Sequence, residues 1–157
     1  MSWPGYANNQ SENWYQTGFA HSLAGRDLQA FEWMLKAANS GYAPAQNNVG
    51  LSFLHGLGVE KNDNKAFAWF KKAAKQNLPD AQNQLAILYE NRGKPQQAYK
   101  WWLAAARQND EFAQFNLAVW FLQKNHKKKA YYWFKKALEN QHSGAAAALN
   151  ELDKLQK

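Results

Sequence analysis

The stretch APAQNNVGLSFLHGLGVEKNDNKAFAWFKKAA, residues 43–74, decides the fold of this 157-residue chain. Within it, Ala45, Val49 and Phe53 are spaced four residues apart, so they lie along one stripe of an α-helix. After the loop HGLGVEKND, a second stripe of the form A-x-x-W-x-x-x-A begins at Ala66. The stretch therefore predicts two amphipathic helices that are joined by a glycine-containing loop.

The second stripe recurs along the chain. The segments AFEW, AFAW, AYKW and AYYW end at Trp33, Trp69, Trp101 and Trp133, at offsets of 36, 32 and 32 residues. The same offsets align three further columns: Ala37, Ala73, Ala105 and Ala137; Ala45, Ala81, Ala113 and Ala145; and Val49, Leu85, Leu117 and Leu149. Self-similarity at this period indicates a repeat protein, in which each unit buries its apolar stripes against its neighbours. On this pattern the Trp column belongs to the core.

We therefore predict an all-α fold, a right-handed α/α superhelix (solenoid) of about four helix pairs plus a C-terminal capping helix. The helices are expected at about 10–24, 27–39, 43–55, 63–76, 80–91, 95–108, 111–123, 127–139 and 143–155. Residues 1–8 are expected to form a loose N-terminal segment, and residues 9–157 a single domain with units at about 9–40, 41–76, 77–108 and 109–140 and a cap at 141–157. Gly41, Asn77 and Asn109 share a column where a left-handed residue would end a helix.

The stretch 43–74 closely resembles the Sel1-like repeat (SLR), a branch of the tetratricopeptide-repeat (TPR) superfamily. That family's pattern, roughly AQ-x-x-LG-x-x-Y-x-x-G-x-GV followed by KA-x-x-WY-x-KAA, is matched here by Ala45-Gln46, Gly58-Val59, Lys65-Ala66, Trp69-Phe70 and Lys72-Ala73-Ala74. The resemblance covers nearly residues 9–156, although the later units lack the Gly-x-Gly-Val loop and are four residues shorter. It implies a non-enzymatic scaffold, often bacterial, that holds proteins or peptides on its concave face.

The residue types needed for catalysis or metal binding do not form a pattern. The four histidines are scattered without a His-x-x-x-His pair, and there is no cysteine, nucleophile elbow or phosphate-binding loop. We therefore expect no enzyme activity, no cofactor and no metal site.

The candidate partner-binding residues lie on the first helix of each pair, two positions beyond its core columns. They are about 200° around the helix from the core stripe, and the resemblance implies that this face lines the concave groove. They are Tyr15 and Phe19; Asn47, Leu51 and His55; Asn83, Ile87 and Asn91; and Phe115, Val119 and Gln123. We expect Asn47 and Asn83 to hydrogen-bond an extended peptide, with the apolar side chains as pockets. The alternative is that neighbouring first helices bury these apolar side chains against each other.

Positive charge is concentrated in the C-terminal part of the chain. Residues 1–60 carry two Lys/Arg and four Asp/Glu, whereas residues 61–157 carry 17 and eight. The segment KNHKKKAYYWFKK, residues 124–136, contributes a candidate basic patch of Lys124, Lys127 and Lys128. This patch is either a solvated face, a site for an acidic protein partner, or, least expected, a nucleic-acid site.

These observations favour a protein-binding module that acts as an adaptor or assembly scaffold. The alternative is a bacterial immunity protein that binds and neutralises a cognate toxin, and a second alternative is binding through the basic face. The N-terminus MSWPGYANNQ lacks a signal-peptide pattern, so we expect a cytoplasmic protein, or a periplasmic one if a signal peptide has been removed. No apolar run approaches the roughly 20 residues of a membrane span, so we expect no membrane insertion. The oligomeric state stays open.

Overall fold

A computed structural model of the protein describes the backbone of residues 4–154 and the side chains of residues 9–154. Within this range the chain forms nine α-helices and no strand: α1 (Pro4–Leu23), α2 (Asp27–Asn39), α3 (Ala43–His55), α4 (Asp63–Lys75), α5 (Pro79–Asn91), α6 (Pro95–Ala106), α7 (Glu111–Gln123), α8 (Lys127–Glu139) and α9 (Ala145–Lys154). The predicted bounds of α2 to α9 agree with these to within two residues, and the all-α fold is confirmed.

The first helix differs from its predicted bounds. It begins at Pro4, about six residues earlier than expected, so helical backbone extends into the segment 1–8 that was expected to be loose. Proline suits this position because the first turn of a helix needs no backbone N–H from it. Residues 1–3 of that segment, and residues 155–157 of the expected cap, lie outside the described residues.

Left-handed residues follow the second helix of each pair. Gly41, Asn77 and Asn109 have φ angles of 95°, 67° and 66°, as their shared column predicts. Gln141 continues the column with φ 69°, although glutamine seldom adopts this conformation. Each of these residues ends one helix and turns the chain toward the next.

Contacts divide the chain after Ala81 into an N-terminal unit and a C-terminal unit. In both units the predicted alanine and leucine columns are buried, and Ala45, Leu85 and Leu117 have no exposed surface. Consecutive helices pack against one another within each unit, for example α3 against α4 and α7 against α8.

The Trp column lies at the edge of the core. Its members Trp33, Trp69, Trp101 and Trp133 are half-buried. The fully packed column is the next one along each second helix: Met34, Phe70, Trp102 and Phe134. A step of one residue turns the side chain by about 100°, which directs this column into the helix interface and leaves the tryptophans at its edge. There the ammonium group of Lys72 lies 3.9 Å from the ring centre of Trp69.

Buried amide side chains connect the helices of successive repeats. In the N-terminal unit, Gln46 Nε2 donates to the carbonyl oxygen of Ala38 (3.2 Å), and Gln76 Nε2 donates to Gln46 Oε1 (2.8 Å). In the C-terminal unit, Gln114 repeats the arrangement with the carbonyl of Ala106 (3.1 Å) and with Nδ2 of Asn140 (2.9 Å). In each unit the glutamine lies on the first helix of a pair. It is hydrogen-bonded to the end of the helix before it and to the end of the helix after it.

Candidate partner-binding faces

The predicted site residues fall into two groups, one in each compact unit. In the C-terminal unit, the α5–α7 face consists of Asn83, Ile87 and Asn91 on α5 and Phe115, Val119 and Gln123 on α7. In the N-terminal unit, the α1–α3 face consists of Tyr15 and Phe19 on α1 and Asn47, Leu51 and His55 on α3.

The α5–α7 face is apolar in its middle and polar at its edge. Ile87 and Val119 are half-buried and pack against the core of the C-terminal unit, whereas Asn91 and Gln123 are exposed. Internal packing therefore takes up part of the apolar surface, as the alternative expected, but some of it remains accessible.

Asn83 has a hydrogen-bond partner inside the protein. Its side chain is only 7% exposed, and its Oδ1 atom accepts a 3.0 Å hydrogen bond from Nδ2 of Asn116 on α7. The carbonyl oxygen that was expected to bind a peptide backbone is thus already used to tie α7 to α5.

Phe115 is covered on one side by the turn that leads to α9. Its ring stacks on the imidazole of His142, with ring centres 4.1 Å apart and planes inclined by 16°, and it meets Phe134 edge-on at 5.1 Å. His142 is held in place because its Nδ1 atom accepts a 3.2 Å hydrogen bond from the backbone N–H of Gly144. Phe115 is consequently a half-buried packing residue rather than an open pocket.

Sequence reasoning missed Phe112, which precedes Phe115 by one helical turn. Its ring is 55% exposed and meets His142 edge-on at 5.4 Å. The spacing of Phe112, Phe115 and Val119 at i, i+3 and i+7 was the available signal. We include Phe112 as the outer end of the α5–α7 face.

The α1–α3 face is aromatic on its α1 side. Tyr15 is half-buried, stacks with Phe19 at 6.4 Å between ring centres, and contacts Tyr42 at 5.4 Å. Its hydroxyl oxygen accepts a 3.4 Å hydrogen bond from Nδ2 of Asn48, which ties α3 to α1. Burial, together with the nearby negative charge of Glu12 and the neighbouring Tyr15, raises the pKa of Tyr42. Phe19 stays exposed.

The α3 members of this face differ strongly in their exposure. Asn47 is 7% exposed, and its Oδ1 atom is buried without a hydrogen-bond partner among the described residues. Leu51 is half-buried, and His55 is exposed as the last residue of α3. Asn47 therefore faces the protein interior and is not positioned on an open surface.

The predicted basic patch lies at the turn between α7 and α8. Lys124, Lys127 and Lys128 are all exposed, and the turn adds His126 and Lys129. We call these five residues the basic turn. In the part of the chain that the structure describes, there is no group of three or more His, Cys, Asp or Glu residues that could hold a metal ion. None of the described helices has the length and apolar character needed to cross a membrane.

Four consecutive segments match the Sel1 repeat family model: residues 13–42, 43–78, 79–110 and 112–142. No curated protein matches the chain.

Two bacterial repeat proteins of known structure are similar to the chain. One is the Sel1 repeat protein from Oxalobacter formigenes, with 28% identity and a TM-score of 0.82 over 90% of this chain and 62% of that one. The other is c5321, described as a protective antigen of uropathogenic Escherichia coli with an SLR fold, with 28% identity and a TM-score of 0.82 over 90% of this chain and 33% of that one. The chain thus spans less than two thirds of the length of either protein.

A third structure shares the fold alone. Pseudomonas aeruginosa pilF has 18% identity and a TM-score of 0.74 over 96% of this chain and 70% of that one. The four matched repeats and these neighbours confirm the predicted all-α solenoid and its SLR character. Since the family model covers most of the sequence, this chain belongs to the Sel1 repeat family.

Proposed function

We propose that the chain is a non-enzymatic adaptor or assembly scaffold that binds a segment of a partner protein, foremost on the α5–α7 face. Repeats of this family typically serve as protein-interaction modules, which supports the general class of function. The choice of the α5–α7 face depends on how far its apolar side chains are exposed.

The half-buried state of Ile87 and Val119 carries the proposal. A merely solvated helix face would hold polar side chains at these positions. Apolar residues at the centre of the core are fully buried, as Leu85 and Leu117 are on the same two helices. Ile87 and Val119 lie between these two cases, so part of their apolar surface can still be removed from water by a partner.

The polar neighbours suggest how such a segment would be held. Asn91 and Gln123 are exposed amides at the last turns of α5 and α7, where they can hydrogen-bond the backbone or side chains of a ligand. Apolar anchors at the centre with amides at the rim are the arrangement that peptide-binding grooves use. We therefore expect a partner segment with apolar anchor residues. Asn83 contributes by holding α5 and α7 together.

Site-specific photo-crosslinking in the native cell tests the proposal. A photo-activatable phenylalanine analogue is placed at Asn91 or at Gln123, where exposure lets the fold accept it. The matched control is Gln97, an exposed amide on the second helix α6. We expect the same crosslinked protein from both face positions and none from Gln97.

The result also decides between the possible roles. Crosslinks of equal yield from Gln97, or none from either face position, would overturn the assignment of the face. If the captured partner is an enzyme or toxin whose activity stops when the chain is bound, the immunity role replaces the adaptor role.

A further inference from the structure

The basic turn concentrates unpaired positive charge on a short length of chain. Residues 124–136 contain six lysines and no Asp or Glu. Lys136 forms an ion pair with Glu139, but Lys124, Lys127, Lys128 and Lys129 form none with any residue between 9 and 154. These charges repel one another, and three of them lie in the first turn of α8, where the helix dipole is also positive.

An aromatic cluster beneath the turn holds two of the lysines in place. The ammonium group of Lys124 lies 5.9 Å from the ring centre of Trp120, and that of Lys129 lies 5.3 Å from the ring centre of Phe121. Trp120 in turn packs on Tyr99, with ring centres 4.7 Å apart. Such cation–π contacts reduce the rotational freedom that these side chains would lose when a ligand binds.

The surface at the turn is concave. A depression of about 530 Å³ is lined by the consecutive residues from Asn125 to Lys129. Asn125 has φ 59°, and this left-handed residue reverses the chain so that α8 begins beside the end of α7. The depression is open to solvent. The charges of the turn thus border an open hollow at the surface.

We propose that the basic turn is a second docking surface, which binds an acidic, extended stretch of a partner polypeptide. A run of Asp and Glu residues would supply several carboxylates to the unpaired lysines while its chain enters the hollow. Nucleic acid fits less well, because the rings of Trp120, Tyr99 and Phe121, next to the lysines, already pack on each other. This proposal does not rest on the α5–α7 face, although Gln123 of that face directly precedes Lys124 of the basic turn.

The test uses defined probes and two variants of equal charge. The probes are a fluorescent 12-residue peptide of alternating Glu and Ser, the same peptide with Gln for Glu, and a 12-nucleotide single-stranded DNA. The test variant is Lys127→Gln/Lys128→Gln. The control is Lys71→Gln/Lys75→Gln, which removes the same charge from exposed positions on α4. Fluorescence anisotropy is measured at low and moderate salt.

We expect the Glu peptide to bind the wild-type chain, with an affinity that falls as salt rises, and the Gln peptide not to bind. Lys127→Gln/Lys128→Gln should lower the affinity for the Glu peptide at least fivefold, and the control variant should lower it less than twofold. The test variant should keep its thermal midpoint or raise it, because it relieves repulsion at the start of α8. Equal weakening by both variants would overturn the proposal as a general charge effect. DNA that binds more tightly than the Glu peptide, with the same dependence on Lys127 and Lys128, would overturn it in favour of nucleic acid.

Discussion

The Nδ2 atom of Asn140 donates a 2.9 Å hydrogen bond to Oε1 of Gln114, and so connects the end of α8 to the start of α7. Gln114 is 1% exposed and also donates to the carbonyl oxygen of Ala106, which ends α6. One side chain thereby fixes three helices. The same relationship holds between Gln76 and Gln46 in the N-terminal unit.

Replacing this glutamine should destabilise the fold. In Gln114→Leu, one buried and one partly buried hydrogen bond are lost, and the Ala106 carbonyl and the Asn140 amide are left without that partner. We expect the free energy of unfolding to fall by about 2–4 kcal/mol, and the melting temperature by roughly 5–15 °C, as measured by circular dichroism. Gln123→Leu, on the same helix but exposed, is the control and should change stability by less than about 0.5 kcal/mol. Equal losses would show that the amide connection contributes nothing specific.

Substitutions at Gly58 and Gly93 distinguish the cost of a left-handed backbone from the cost of a steric clash. Both are left-handed, with φ 68°, but a Cβ atom at Gly93 would meet nothing within 4 Å, whereas one at Gly58 would collide with the backbone carbonyl of Asp27. We expect Gly93→Ala to cost about 1 kcal/mol and Gly58→Ala at least about 3 kcal/mol, in chemical denaturation. Similar costs would mean that the α3–α4 loop is not pressed against the start of α2.

Gly50 allows α3 to approach the ring of Phe70. A Cβ atom there would lie 2.7 Å and 2.8 Å from two ring carbons of this fully buried side chain. The gain in helix propensity from Gly50→Ala, about 1 kcal/mol, should therefore be outweighed by overpacking of about 1–3 kcal/mol. Gly50→Ala/Phe70→Leu should cost at least about 1 kcal/mol less than the two single changes added together, because the smaller side chain makes room. Strict additivity in the double-mutant cycle would contradict the close approach.

The ion pair on α8 has a defined pH dependence. The hydrogen bond from Lys136 to Glu139, 2.8 Å long, lowers the pKa of the glutamate below its usual value. A lowered pKa means that the pair stabilises the fold above the ordinary pKa of glutamate, and that this contribution is lost as the pH falls through the lowered value. NMR titration should give a lower midpoint for Glu139 in the wild type than in Lys136→Met. Equal midpoints would show that the pair does not persist in solution.

The fold was predictable because the repeat fixes both helix bounds and core columns. Ala45, Leu85 and Leu117 are buried where the spacing placed them. Spacing placed the Trp column in the core, and the structure has these side chains at the edge of the core. Spacing alone does not distinguish the edge of an apolar stripe from its centre. Which large residue lies at the centre depends on the packing angle between the helices, and the sequence does not contain that angle directly.

The candidate site was only partly predictable. Spacing placed Asn91 and Gln123 away from the core stripe, and both side chains are exposed. It missed that Asn83 is paired with Asn116 and that Phe115 is stacked on His142. Both contacts join residues from different helices, and the spacing of residues along one helix does not show which side chains meet across two helices.

The central claim is that the α5–α7 face binds a partner protein, and titration calorimetry with the crosslinked partner tests it most directly. Ile87→Thr/Val119→Thr places a hydroxyl group at each position; Val119→Thr keeps the side-chain volume, whereas Ile87→Thr makes the side chain smaller by one carbon. Leu138→Thr does the same at an exposed position on α8 and serves as the control. Loss of about 1–2 kcal/mol of apolar contact at each site, about 2–4 kcal/mol for the two sites together, should weaken binding of the partner roughly 30-fold to 1,000-fold in the double variant. The control should bind like the wild type, and circular dichroism should show all three chains folded. An affinity of the folded double variant equal to that of the wild type would contradict the claim.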